Sequence, residues 1–153
     1  MGQNLGAKKW KRIRSGVNAA LVVAVITSVF IGSVMLVTGK WILGWFISGT
    51  PGQVEEAMRV AYFYLAVMSV SLPILYILHV LRSAIQGMGN TVLPMLSGIA
   101  EFFMRTMAVL LLPHLVGEVG IFFAEILAWA GADVVLILSY LLKIRDLGRL
   151  SQT

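Results

Sequence analysis

Four apolar runs, each about as long as a helix that crosses a bilayer, constrain this chain more than any other feature. A spanning helix needs about 20 mainly apolar residues. It must be a helix because hydrocarbon offers no partner for backbone N–H and C=O groups. Residues 17–37 contain no charged side chain, and residues 60–81 carry only His79. Residues 93–112 hold Glu101 and Arg105, and residues 119–142 hold Glu125 and Asp133. Composition agrees: 59% of the 153 residues are hydrophobic and 12% are charged, against roughly 45–50% and 25% in soluble domains. A water-soluble domain of this size keeps too large a surface fraction to hide that excess. The chain reads as an all-α membrane protein with four transmembrane helices and the lipid bilayer as its first partner.

Charge in the connections sets an orientation. Five of the twelve basic residues, Lys8, Lys9, Lys11, Arg12 and Arg14, precede the first span. Between the first two spans Lys40 and Arg59 are balanced by Glu55 and Glu56, and His114 to Glu118 contains neither lysine nor arginine. Arg82 lies in the second connection, and Lys143, Arg145 and Arg149 follow the last span. Basic residues accumulate on the cytoplasmic side, so both termini are expected there. The division is a basic cytoplasmic segment 1–16, a four-helix region 17–142 and a cytoplasmic tail 143–153. The first apolar run is too long for a cleavable signal and has no clean small-x-small site after it. It reads as a retained span.

Trp41, Trp45 and Phe46 follow the first span beside Lys40 and read as an interfacial aromatic belt, ended at "SGTPGQ". Small residues recur every four positions as Ala20, Ala24, Ser28 and Gly32, and again as Ala124, Ala128 and Ala132. Such ridges let helix backbones approach closely where lipid gives little drive for association. Pro73, midway through the second span, removes a backbone donor and is expected to kink it.

The polar residues inside the spans are the candidate functional groups. A charge at the bilayer centre costs roughly 2.5–3.5 kcal/mol, while an i,i+4 ion pair returns only about 0.2–0.5. Glu101 and Arg105 therefore need contacts with other helices, a wet cavity or a shallow position. They fit either an ion relay or a structural pair. Glu125, Trp129 and Asp133 form a stripe on the fourth span with no basic residue before Lys143. Unpaired intramembrane acids are candidates for proton or cation handling, and Asp133 is the deeper of the two. His79, near a span end, needs no special role.

Several function classes drop out. There is no cysteine, hence no disulfide and no thiolate metal site. The net charge of +5 is concentrated beside a span, which argues against nucleic acid. The stretch "RSAIQGMGNTVLP" at 82–94 looks like a phosphate loop, but Val92 stands where a dinucleotide fingerprint needs glycine, and no lysine is near for a P-loop. It reads instead as a turn between spans, with Gly87 and Gly89 allowing the reversal. Asn90 and Thr91 are placed to cap the next helix, with Pro94 in its first turn. No nucleophile–base set is present, so an enzyme is not expected, and no cofactor is called for.

These stretches together resemble the multidrug and toxic compound extrusion (MATE) family of membrane antiporters. "GQNLGAKKWKRI" is similar to its Q-N-x-G-A-(x)n-R-I stretch. "LRSAIQGMGNTVLP", with Arg82, Gln86, Gly87, Gly89, Thr91 and Pro94, is similar to its R-x-x-x-Q-G-x-G-x-T-x-x-P loop. "SGIAEFFMR" and "AEILAW" resemble patterns of the following helices. The resemblance implies two lobes of six helices around a substrate cavity, of which this chain supplies a partial lobe, helices 9 to 12. It implies export of amphipathic cationic compounds in exchange for H+ or Na+ in a bacterial inner membrane. Glu101, Arg105, Asp133 and Glu125 would then be cavity or relay residues. The partners would be a small-molecule substrate and either the remaining helices or other copies of the chain. The second span, matching helix 10, has no acidic residue, which departs from a sodium site of the C-lobe type. A fragment of a related lipid-linked saccharide flippase and a stand-alone structural four-helix protein are the alternative readings. A small dimeric drug exporter fits less well, since that family places its essential acid in the first span.

Overall fold

The computed structural model describes residues 1–117 and 119–150, the last five by backbone alone. Every element is a helix: α1 (Gly2–Gly6), α2 (Trp10–Gly44), α3 (Pro51–Gly87), α4 (Val92–Val116) and α5 (Gly120–Leu150). α2 to α5 are each long and apolar enough to cross a membrane. They outrun the apolar runs at several ends. α2 has 35 residues, about 52 Å at 1.5 Å per residue, against a hydrocarbon core of about 30 Å. Hydropathy marks where lipid begins, but hydrogen bonding carries a helix past that level. The basic stretch from Trp10 to Gly16 forms the first two turns of α2.

The helices do not pack in chain order. α2 lies along α3, α4 lies along α5, and the two hairpins join through α3 and α5. α3 and α4, although consecutive, barely touch. α2 buries Ile13, Val17, Ala24, Ser28, Gly32 and Gly39, a four-and-seven spacing that keeps one narrow stripe inward. Ala24, Ser28 and Gly32 of the expected ridge are on it, but Ala20 is exposed. The α5 ridge is complete: Ala124, Ala128 and Ala132 are buried, followed by Leu136 and Tyr140. The larger apolar core lies at the end carrying the N-terminus, where Ile13 and Val17 meet Leu78, Leu81, Ile85 and Leu136.

Pro73 has a specific consequence. Without its N–H, the carbonyl of Ser69 loses its helical partner. That carbonyl oxygen lies 2.6 Å from where a Cβ on residue 32 would stand. Glycine at 32 is what lets α2 reach the freed carbonyl. Farther along, the Tyr62 hydroxyl donates to the Leu36 carbonyl at 2.9 Å. At the loop end, α3 starts with a reciprocal Thr50–Gln53 capping box and Pro51 in the first turn. Trp41 and Trp45 touch edge to face at 4.4 Å and are largely exposed with Phe46, as an aromatic belt requires.

Candidate functional site

The turn between α3 and α4 positions the first charged group. α3 runs through Arg82 and ends at Gly87, and Gly89 takes a positive φ of 79°, the left-handed conformation that reverses the chain. Asn90 Oδ1 accepts the Leu93 N–H at 3.1 Å, so Asn90 supplies a side-chain cap while Thr91, the N-cap residue, makes no such bond. Pro94 is buried in the first turn of α4, whereas Gln86 and Thr91 are exposed. A Cβ on Gly87 would come 2.8 Å from Met1 Cβ, so the opening stretch and this turn pack on one another.

Arg82, although it stands beside a connection, points into the bundle. Its guanidinium turns inward across α4, donating to Ser97 Oγ at 3.2 Å and Glu101 Oε2 at 2.9 Å. The other oxygen of Glu101 accepts from Arg105 at 2.9 Å. The same Arg105 nitrogen lies 2.9 Å from Glu125 Oε2 on α5. Arg82, Glu101, Arg105 and Glu125 thus form one chain of alternating charge through three helices, with no net charge. Arg82 stands five residues before the end of α3 and Glu125 five residues into α5. Those ends are opposite, and Glu101 and Arg105, one turn apart on α4, link the two side chains.

This arrangement answers the energetic difficulty of the local pair. Each carboxylate meets a guanidinium, and Glu101 meets two. Its side chain is 18% exposed, Arg82's 25%, Glu125's 32% and Arg105's 41%, so the Arg82–Glu101 link is the most enclosed part and Arg105 the most open. The sequence reading missed Ser97 and the inward role of Arg82. The signal was present: Ser97, Glu101 and Arg105 are spaced by four and share a face of α4, which a single cation from a neighbour could reach.

Asp133 stands apart. It is 7% exposed on α5, forms no ion pair among the described residues, and its Oδ1 is buried without a hydrogen-bond partner. The basic side chains of Arg82 and His79, both on α3, lie within electrostatic range of it. The stripe of Glu125, Trp129 and Asp133 is therefore split in role. Glu125 joins the charge chain, Trp129 packs against the core, and Asp133 remains open. His79 is exposed, with Nδ1 2.8 Å from the Leu75 carbonyl of its own helix. No cluster of potential metal ligands occurs among the described residues.

Four spanning helices with charges paired inside them define a multi-pass membrane protein. The family follows from comparison of the sequence: the family model MatE matches residues 1–111, 111 of the 153 residues, and the chain belongs to the MatE family. Members of that family are transporters, not enzymes. The match takes in the α3–α4 turn and Arg82, Glu101 and Arg105; Glu125 and Asp133 lie beyond it. No curated protein and no solved structure matches the chain.

Proposed function

We propose that the chain forms part of a cation-coupled antiporter that exports amphipathic cationic compounds, with H+ or Na+ as the coupling ion. The observation that carries this reading is Asp133, a buried carboxylate near the middle of α5 with an oxygen lacking any partner. A coupling ion needs a carboxylate that can exchange it. Glu101 has both oxygens engaged by arginine, and Glu125 is bridged to Arg105. Those acids fix the relative positions of α3, α4 and α5, and Asp133 is free to take and release a proton or cation.

The chain works together with further helices, in a longer protein or in other copies of itself. Fewer than a third of the residues in each span are buried, so most of the apolar surface faces lipid or other helices. No enclosed space between two lobes can form from α2 to α5 alone. Both termini lie on the cytoplasmic side of a bacterial inner membrane, the orientation that the basic residues before α2 support. The test is ethidium efflux from pump-deficient bacteria expressing the chain alone or joined to the complementary helices of another family member. Efflux driven by an ion gradient is expected only from the joined protein. Export by the chain alone would contradict the requirement for further helices, and no gradient-driven export by an assembled, folded fusion would contradict the antiporter reading.

A further inference from the structure

We infer that α2, α3 and α5 form a binding site for an anionic phospholipid, separate from the charge chain. α2 and α5 meet only slightly, and the gap between them is a cleft of about 520 Å³. Val25 and Ile26 form one wall, Ile137 the other, and Ile77 and Leu81 the floor. The surface it presents is apolar, the hydroxyl of Tyr140 being buried behind the ring. Toward the N-terminal end a second hollow of about 450 Å³ continues from it, sharing Tyr140 and Leu141. Here the lining changes to Lys11, Arg14 and Arg145, with Trp10 beside them.

The two hollows together have the division of an anionic phospholipid: an apolar slot for an acyl chain and a cationic mouth for a phosphate. Among the described residues, Lys11, Arg14 and Arg145 make no ion pair, so their charge is available to a ligand. Tyr140 lines both hollows and joins them, with its hydroxyl buried. Basic pockets between membrane helices hold anionic headgroups by charge, while the adjoining apolar surface holds the chains. A packed helix would satisfy the slot but leave three cations at its mouth unmatched. A soluble phosphate would match the cations but leave the slot empty.

Native mass spectrometry of the detergent-solubilised chain tests the site, with dioleoylphosphatidylglycerol or dioleoylphosphatidylcholine as the added lipid. Phosphatidylglycerol is expected to be retained in preference to phosphatidylcholine by about tenfold or more. The triple variant Lys11→Gln, Arg14→Gln, Arg145→Gln removes that preference. Val25→Trp, which fills the slot, lowers retention of phosphatidylglycerol with helicity by circular dichroism unchanged. A control triple variant, Lys8→Gln, Lys9→Gln, Arg12→Gln, removes equal charge outside the hollow and keeps the preference. Equal retention of the two lipids overturns the site, as does a control variant that loses as much as the hollow variant. Efficient disulfide cross-linking between two copies of a Val25→Cys variant also overturns it, because a second copy then covers the cleft.

Discussion

Glu101 lies between two guanidiniums on different helices, and that position sets what a single substitution there does. Glu101→Gln leaves Arg82 facing a neutral amide in a poorly hydrated place while Arg105 keeps Glu125, and removing one partner of a buried pair costs on the order of 3 kcal/mol. The exposed Arg59–Glu56 pair, also built on a short helical spacing, is screened by solvent. Unfolding followed by circular dichroism in mild detergent checks both: a large fall in midpoint for Glu101→Gln, and none resolvable for Glu56→Gln. Asp133 behaves in the opposite way. Asp133→Asn exchanges a buried carboxylate that has no hydrogen bond at Oδ1 for a neutral group of the same shape, and its unfolding midpoint is expected to hold or rise. The sequence showed which spans carry charge, because a charged letter within an apolar run is visible at once. It did not show that Arg82 belongs with Glu101, since that partnership depends on how α5, packed against both α3 and α4, holds them relative to one another.

The element scale is governed by close approach between backbones. Gly32 faces the carbonyl that Pro73 frees on α3, with 2.6 Å of room for a Cβ. Gly32→Ala must push the helices apart, and overpacking of this kind costs about 1–3 kcal/mol. Gly98, inside α4, has nothing within 4 Å of an added Cβ, so Gly98→Ala gains helix propensity of up to about 1 kcal/mol. The pair of unfolding midpoints, one lowered and one held or raised, checks the contact. The small-residue spacing in α2 and α5 was legible before the fold because it repeats by four. Which ridge meets which helix was not. Ala20 sits in register with Ala24 yet is exposed, because a straight helix drifts out of a strict four-residue repeat and the buried stripe follows sevens as well as fours.

At the scale of the whole molecule, spans and turns were readable because a bilayer allows few solutions: helices of fixed minimum length with polar connections. The pairing of α3 with α5 was not, because connections alone suggest neighbours in chain order. The proposed orientation has a direct check, since the chain contains no cysteine. Single cysteines at Lys9 or Arg145 are expected to be shielded from an impermeant maleimide added to intact cells. Single cysteines at Gly49 or Gly117 are expected to react. The reverse pattern would invert the orientation.

The central claim is that Asp133 exchanges the coupling ion while the paired charges hold the helices in place. Its most direct measurement is gradient-driven ethidium efflux by the chain joined to the complementary helices of a family member, comparing wild type with Asp133→Asn at matched amounts of folded protein. The expected result is that Asp133→Asn folds normally but loses efflux driven by either a proton or a sodium gradient. Full gradient-driven efflux by Asp133→Asn would contradict the claim.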